Sequence, residues 1–296
     1  VSCTRQDLIA FRPGHAYFVA VDSDGCVFDT MELKQRRCFH PLIVSHWRLE
    51  AVADAVRETA AFVGLYSRTR GSNRFPALLR VFDLLRRRPD ARAAGVPVPD
   101  LPALRRFVQS GAALGEPALE RAAAETGDPE LADVLAWSRA VNACIAAEAG
   151  GVRVFPGAAE GLRLMRRRAD VLCVSQTPAA ALEREWAQHG LADCAALIAG
   201  QELGTKAEHI AAAAAGKYRA GRMLVVGDAP GDREAARRTG ALFYPINPGR
   251  EETSWRRLRD EDWTRFLAGE YAGPPEAARI AEFDALLPET PPWEKK

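Results

Sequence analysis

Short apolar runs alternate with amphipathic stretches through the second half of the chain, whereas most of the first half carries amphipathic spacing alone. The earliest run, AYFVAV at 16–21, is rich in β-branched and aromatic residues and stops at DSDG, which predicts a buried strand entering a turn. After Asp29 little resembles a strand, and prolines such as Pro97, Pro99 and Pro102 punctuate a helical pattern. Asp128 followed by Pro129, and more weakly Glu116 followed by Pro117, supply an N-cap and a first-turn proline, so helices are predicted to begin there. From Gly151 onward VLCV at 171–174, AALIAG at 195–200, MLVVGD at 223–228 and ALFYPI at 241–246 read as strands. Helices are predicted to open near Thr177, Thr205 and Pro230.

This alternation predicts a Rossmann-like three-layer α/β/α core with a parallel sheet, and an all-helical unit inserted after the first strand. The expected division is a core of 1–29 and 152–250, a helical unit of 30–151, and a polar, helical tail of 251–296 packed on the core. Packing is the expected role of Trp255, Trp263 and Trp293 in that tail.

Charge removes some classes of partner. Forty Lys and Arg against thirty-nine Asp and Glu leave a formal net charge of +1, which gives no global reason to expect nucleic acid or a membrane surface. The local runs Arg86–Arg88, Arg166–Arg168 and Arg237–Arg238 fall near predicted helix ends, where solvated cations complement the helix dipole. Cys3, Cys26, Cys38, Cys144, Cys173 and Cys194 show no regular spacing and are expected to be reduced thiols of a cytoplasmic protein. No apolar stretch approaches the ~18 residues needed to cross a bilayer, and the first residues lack a signal-peptide layout.

The polar residues of interest follow predicted strands: Asp22 and Asp24, Ser175, Lys206, and Asp228 with Asp232. The carboxyl ends of parallel strands form one crevice, so distant residues can meet there. Carboxylates about 4 Å apart repel by roughly 4 kcal/mol at an effective dielectric near 20, so such a cluster calls for a cation. All-oxygen donors favour Mg2+, which in turn favours phosphoryl chemistry. Lys206 and Ser175 supply the positive charge and the hydroxyl donor needed to hold a phosphoryl group. Capping would also account for Asp228 and Asp232, a turn for Ser175, and an ordinary first-turn position for Lys206, although lysine is unfavourable there unless an anion is present.

The order DSDGCV, VLCVSQ, GTK and VVGDAPGD resembles the four motifs of the haloacid dehalogenase superfamily, from about Phe18 to Tyr244, with the insertion where members often carry a helical cap. FPGAAEGLRLMRRRA is similar to the helix that precedes the second motif in the subgroup with helical caps. The resemblance implies Asp22 as nucleophile and Asp24 as general acid and base. It also implies Mg2+ held by Asp22, Asp24 through its backbone carbonyl, and Asp228, with Asp232 supporting or joining. Ser175, Gln176 and Lys206 would grip the phosphoryl group. Cys26 departs from the more usual Thr or Val, and the insertion is longer than many helical caps. An acid at Asp24 argues against carbon–halogen or phosphonate cleavage, since those members lack it.

The implied activity is Mg2+-dependent hydrolysis of a small phosphorylated metabolite through an aspartyl-phosphate. The alternatives are a phosphomutase resembling β-phosphoglucomutase and a non-catalytic phospho-ligand-binding protein. In the insertion, LYSRTRGSNRFPALL is a candidate specificity loop, with Arg70 and Arg74 as anion contacts, or else a basic connection between helices. His15, His40, His46, His189 and His209 form no ligand spacing and are expected to be structural. The stretch around Lys217 lacks the first glycine and the hydroxyl of a phosphate-binding loop.

Overall fold

Apolar runs without polar interruption belong to strands covered on both faces, and that is how the chain uses them. In the computed structural model, which describes residues 3–112, 114–148 and 151–294, five segments are strands: β1 (Tyr17–Val21), β2 (Ala169–Val174), β3 (Leu197–Ala199), β4 (Met223–Gly227) and β5 (Leu242–Pro245). All pairs are parallel, in the order β3-β2-β1-β4-β5. β2 and β4 are buried throughout and β1 is buried beyond Tyr17. Pro245 lies in edge strand β5, where a missing N–H is tolerated.

Alternate side chains divide between two apolar layers. Val19, Val21, Val171, Cys173, Leu224 and Val226 pack with Leu162, Leu182, Trp186 and Trp255 on one side. Phe18, Ala20, Leu172, Val174, Val225 and Phe243 pack with Leu8, Ile210, Ala235 and Phe283 on the other. This is the expected three-layer core. The predicted helix starts are also observed, at Glu116–Thr126, Pro129–Glu148, Ala179–Gln188, Lys206–Ala214 and Pro230–Thr239.

The chain runs from β1 outward through β2 to β3, then returns to place β4 on the other side of β1. Loops leaving β1 and β4 therefore diverge, and a crevice forms between the carboxyl ends of those two neighbours. Asp22 and Asp228 are the first residues beyond them.

The molecule divides into two compact units, Val1–Met31 with Val152–Leu287, and Glu32–Gly151 with Pro288–Lys296. The expected tail is thus split. Residues 251–287 are part of the core: Trp255 and Trp263 lie in its apolar layer, and the Trp255 Nε1–H donates to the Cys26 carbonyl at 2.9 Å. Residues 288–294 pack instead with the helical unit, where Trp293 meets Phe62 edge-on at 5.6 Å. The outer positions 1–2 and 295–296, with 113, 149 and 150, lie outside the described residues.

The helical unit has its own core, centred on Phe82, Leu104, Val134 and Trp137. Two expectations are corrected within it. Cys38 and Cys144 form a disulfide with Cα atoms 5.7 Å apart, so two of the six cysteines are not free thiols. Arg88 is not a solvated helix end: it is buried, paired with Glu58 at 2.9 Å and Asp90 at 2.6 Å.

A bridge spanning 106 positions removes freedom from most of the unfolded helical unit. Cys38→Ser is therefore expected to lower stability by about 2–4 kcal/mol. Urea unfolding without reductant should show an earlier transition, and reductant should shift the parent protein but leave the variant unchanged.

Candidate active site

The turn after β1 is wound tightly enough that one carbonyl, that of Ser23, accepts from the N–H groups of Val27 at 2.9 Å and Phe28 at 3.0 Å. Gly25 adopts φ +76°, a left-handed conformation that an L side chain disfavours. Two indoles hold the turn from the core side: Trp186 Nε1 donates to Ser23 Oγ at 3.1 Å, and Trp255 to Cys26 O. Cys26 is wholly buried behind the turn, with Sγ 3.7 Å from the Val226 carbonyl. Burial pushes its thiol well above the ordinary value, which makes it packing rather than a nucleophile.

The Asp22 N–H continues the ladder by donating to Val226 O at 2.9 Å, which aims its side chain into the crevice beside β4. There the carboxylate oxygens of Asp22, Asp228 and Asp232 come within 4.8 Å of one another, each residue at most 5% exposed. Lys206 Nζ lies 2.9 Å from Asp22 Oδ1 and 2.6 Å from Asp232 Oδ1. Burial drives the Asp22 carboxyl well above its usual value; the Lys206 ammonium opposes this, and Asp232 and Asp228 add to it. Burial alone would lower Lys206, but attraction to Asp22 and Asp232 outweighs it and the ammonium is held.

Asp232 also keeps the capping role considered from sequence, since its Oδ2 accepts from the Ala229 N–H at 3.0 Å. It therefore braces Lys206 and starts the helix Pro230–Thr239 at once. Lys206 is placed by a capping box, in which Thr205 and Glu208 satisfy each other's backbone donors.

The Asp24 side chain is not among the converging three. Its Oδ1 accepts from Thr30 Oγ1, and its Oδ2 accepts from Thr177 Oγ1 at 2.6 Å. Neither threonine is a site residue by the sequence reading; their hydroxyls are indistinguishable there from turn and capping residues. Ser175 is buried and its Oγ accepts from the Thr177 N–H at 3.2 Å, the turn geometry considered from sequence. Thr177 thus touches both Ser175 and Asp24. Gln176 Nε2 donates to Gly204 O at 2.9 Å, tying this loop to the turn that precedes Lys206.

Arg70 and Arg74 bond within the helical unit. Arg70 is 4% exposed and donates to Leu65 O at 3.0 Å. Arg74 donates to Ser138 O at 3.1 Å and Oγ at 3.0 Å and lies over the Phe39 ring. They join helices of that unit, so the specificity-loop expectation is corrected for these two. Lys217 donates to the carbonyls of Ile9 and Phe11, both at 2.9 Å, and anchors the first helix. Among the described residues no histidine joins a metal-binding group, and burial holds His40 and His209 down to about 4.

No family model matches the chain, and no curated protein matches it. Solved structures do. A haloacid dehalogenase family hydrolase from Deinococcus radiodurans, with bound phosphate and sodium, is 17% identical over 92% of this chain and 99% of that one, with a TM-score of 0.46. A predicted phosphoglycolate phosphatase from Haemophilus somnus is 12% identical over 77% and 84%, with a TM-score of 0.44. A subfamily IA hydrolase of the same superfamily from Geobacter sulfurreducens is 14% identical over 83% and 90%, with a TM-score of 0.39.

The crevice tolerates no extra volume at the end of β4. A Cβ on Gly227 would lie within 2.5 Å of Asp232 Cβ, whereas one on Gly231 meets nothing within 4 Å. Gly227→Ala is expected to cost about 1–3 kcal/mol by overpacking, and Gly231→Ala to leave stability within about 0.5 kcal/mol. Urea unfolding of the two variants side by side checks this.

Proposed function

We propose that the chain is a Mg2+-dependent phosphate-monoester hydrolase that acts on a small phosphorylated metabolite through an aspartyl-phosphate on Asp22. One observation carries the reading: three buried carboxylates meet a single lysine ammonium at the switch point of a parallel sheet. Ionised together, Asp22, Asp228 and Asp232 exceed Lys206 by two negative charges, and a divalent cation offsets that excess. The donors are all hard oxygens, which fits Mg2+. Asp22 and Asp228, with the Asp24 backbone carbonyl, would hold the ion, while Asp232 braces Lys206. Bound there, Mg2+ offsets the charge on phosphoryl oxygens that approach an anionic nucleophile.

In this mechanism an Asp22 oxygen forms a bond to phosphorus as the bond to the leaving oxygen breaks, and Asp24 gives that oxygen a proton. Asp24 then takes a proton from water as the water oxygen attacks the acyl phosphate, which releases inorganic phosphate and restores Asp22. Lys206 and the Ser175 hydroxyl hold the phosphoryl oxygens. The Ser175 oxygen already accepts from Thr177, which leaves its hydrogen for a phosphoryl acceptor. Thr30 and Thr177 orient Asp24 from two sides.

A phosphate-release screen over many phosphate monoesters, with and without Mg2+, tests the reading. Release is expected only with the metal, is expected to fall to background in Asp22→Asn, and to drop about 10^2–10^4-fold in Asp24→Asn. Undiminished release by Asp22→Asn would exclude this mechanism. Transfer of the phosphoryl group to a second sugar hydroxyl without free phosphate would identify a mutase instead.

Thr177→Val is expected to lower turnover by roughly tenfold by loosening Asp24, with the loss smaller for esters whose leaving alcohol is acidic and needs less protonation. A loss of equal size across leaving groups would argue against this orienting role.

A further inference from the structure

The basic stretch 65–79 turns Arg70 and Arg74 inward but leaves Arg68 beside a cleft of about 280 Å³ within the helical unit. Phe62, Ser67, Arg68, Thr69, Arg80 and Glu289 line it. The Thr69 hydroxyl donates to Val63 O at 2.8 Å, and the Ser67 hydroxyl lies 3.3 Å from the same carbonyl. The cationic residues of the lining are Arg68 and Arg80.

One acid lines the cleft, and it comes from far along the chain. Glu289 Oε1 lies 3.4 Å from Arg68 Nε. The segment that carries Glu289 is seated by Trp293, which meets the Phe62 ring at 5.6 Å and lies under the Arg88 guanidinium at 4.5 Å. Phe62 is thus both a wall of the cleft and the seat of that segment.

We propose that this cleft binds a small organic dicarboxylate, and that Glu289 occupies part of the site as an internal competitor. Two planar guanidiniums in one cleft match carboxylate geometry, each through a fork of paired N–H donors. The cleft is slightly smaller than the ~300 Å³ at which drug-sized sites begin, which suits an anion of few heavy atoms. The Arg68 and Glu289 side chains are 48% and 77% exposed. An exposed pair of this kind holds weakly, so a free dianion that reaches both arginines displaces it. Displacement leaves the C-terminal segment held through Trp293, so ligand binding is coupled to the seating of that segment. This site is independent of the proposed hydrolysis, because every group it uses belongs to the helical unit.

Calorimetric titration of malonate into the full chain in magnesium-free buffer tests the proposal, alongside Arg80→Ala, Glu289→Gln and tryptophan emission. Malonate is expected to bind the parent protein. Arg80→Ala should weaken it roughly tenfold, and Glu289→Gln should tighten it severalfold by removing the competitor. Malonate should change the emission of the parent but not of Trp293→Phe. Absence of malonate binding to the parent, or equal affinity in the parent and both charge variants, overturns the proposal. Because Glu289→Gln alters one exposed side chain and is expected to gain affinity, a folding defect cannot imitate the predicted result. Asp22→Asn should leave malonate affinity unchanged, which separates this test from that of the catalytic reading.

Discussion

The ammonium of Lys206, set between Asp22 at 2.9 Å and Asp232 at 2.6 Å, is the interaction on which the core's crevice depends. Three carboxylates within 4.8 Å repel pairwise by at least about 3.5 kcal/mol at an effective dielectric of 20, and burial makes isolated charge costlier. A lysine at the first position of a helix is itself disfavoured by the helix dipole. Here the two penalties offset each other. The capping box at Thr205 and Glu208 fixes where the helix starts, and so fixes how far the ammonium reaches.

Other features of the core follow from keeping that geometry. Gly227 has no side chain because Asp232 fills the space one would need, and Asp232 is held there because it caps its own helix. The turn carrying Asp22 and Asp24 is backed by two buried indoles that come from distant parts of the sequence. Gly161 permits one of them: an added Cβ would lie 2.7 Å from Trp255 Cε3. The tail helix Glu251–Arg257 is therefore part of the support behind the proposed nucleophile, although it carries no chemistry of its own.

The strand ends and their acids were legible because each is a local signal, an apolar run followed by a turn with a carboxylate or hydroxyl. Strand bounds shifted by no more than about two residues. What escaped the sequence depends on contacts between distant positions. Thr30 and Thr177 matter because both reach Asp24. Cys38 and Cys144 pair across 106 positions with no spacing to announce it. Arg70 and Arg74 read as anion contacts because charge is visible in a sequence and side-chain direction is not; tertiary packing turned them toward Leu65 and Ser138. Trp255 and Trp293 were both expected to pack, yet they pack on different units.

The way the insertion leaves the core explains why the two units can follow different rules. Val27–Asp29 and Val152–Phe155 run side by side: Phe28 and Val154 form an antiparallel bridge, the Asp29 N–H donates to Arg153 O at 2.9 Å, and the Phe155 N–H donates to Val27 O at 2.9 Å. Arg153 and Asp29 add an ion pair at 3.1 Å. The core thus closes the loop at its own expense, and closure entropy grows only slowly with what lies inside. Insertion length is then nearly free of cost to the core, provided the insert has an apolar core of its own, as Phe82, Leu104 and Trp137 supply here. The sheet can keep a geometry dictated by charge whatever the length of the insert. That separation is why the acids of the core are readable as chemistry, whereas the direction of an arginine in the insertion is set by packing that a sequence does not display.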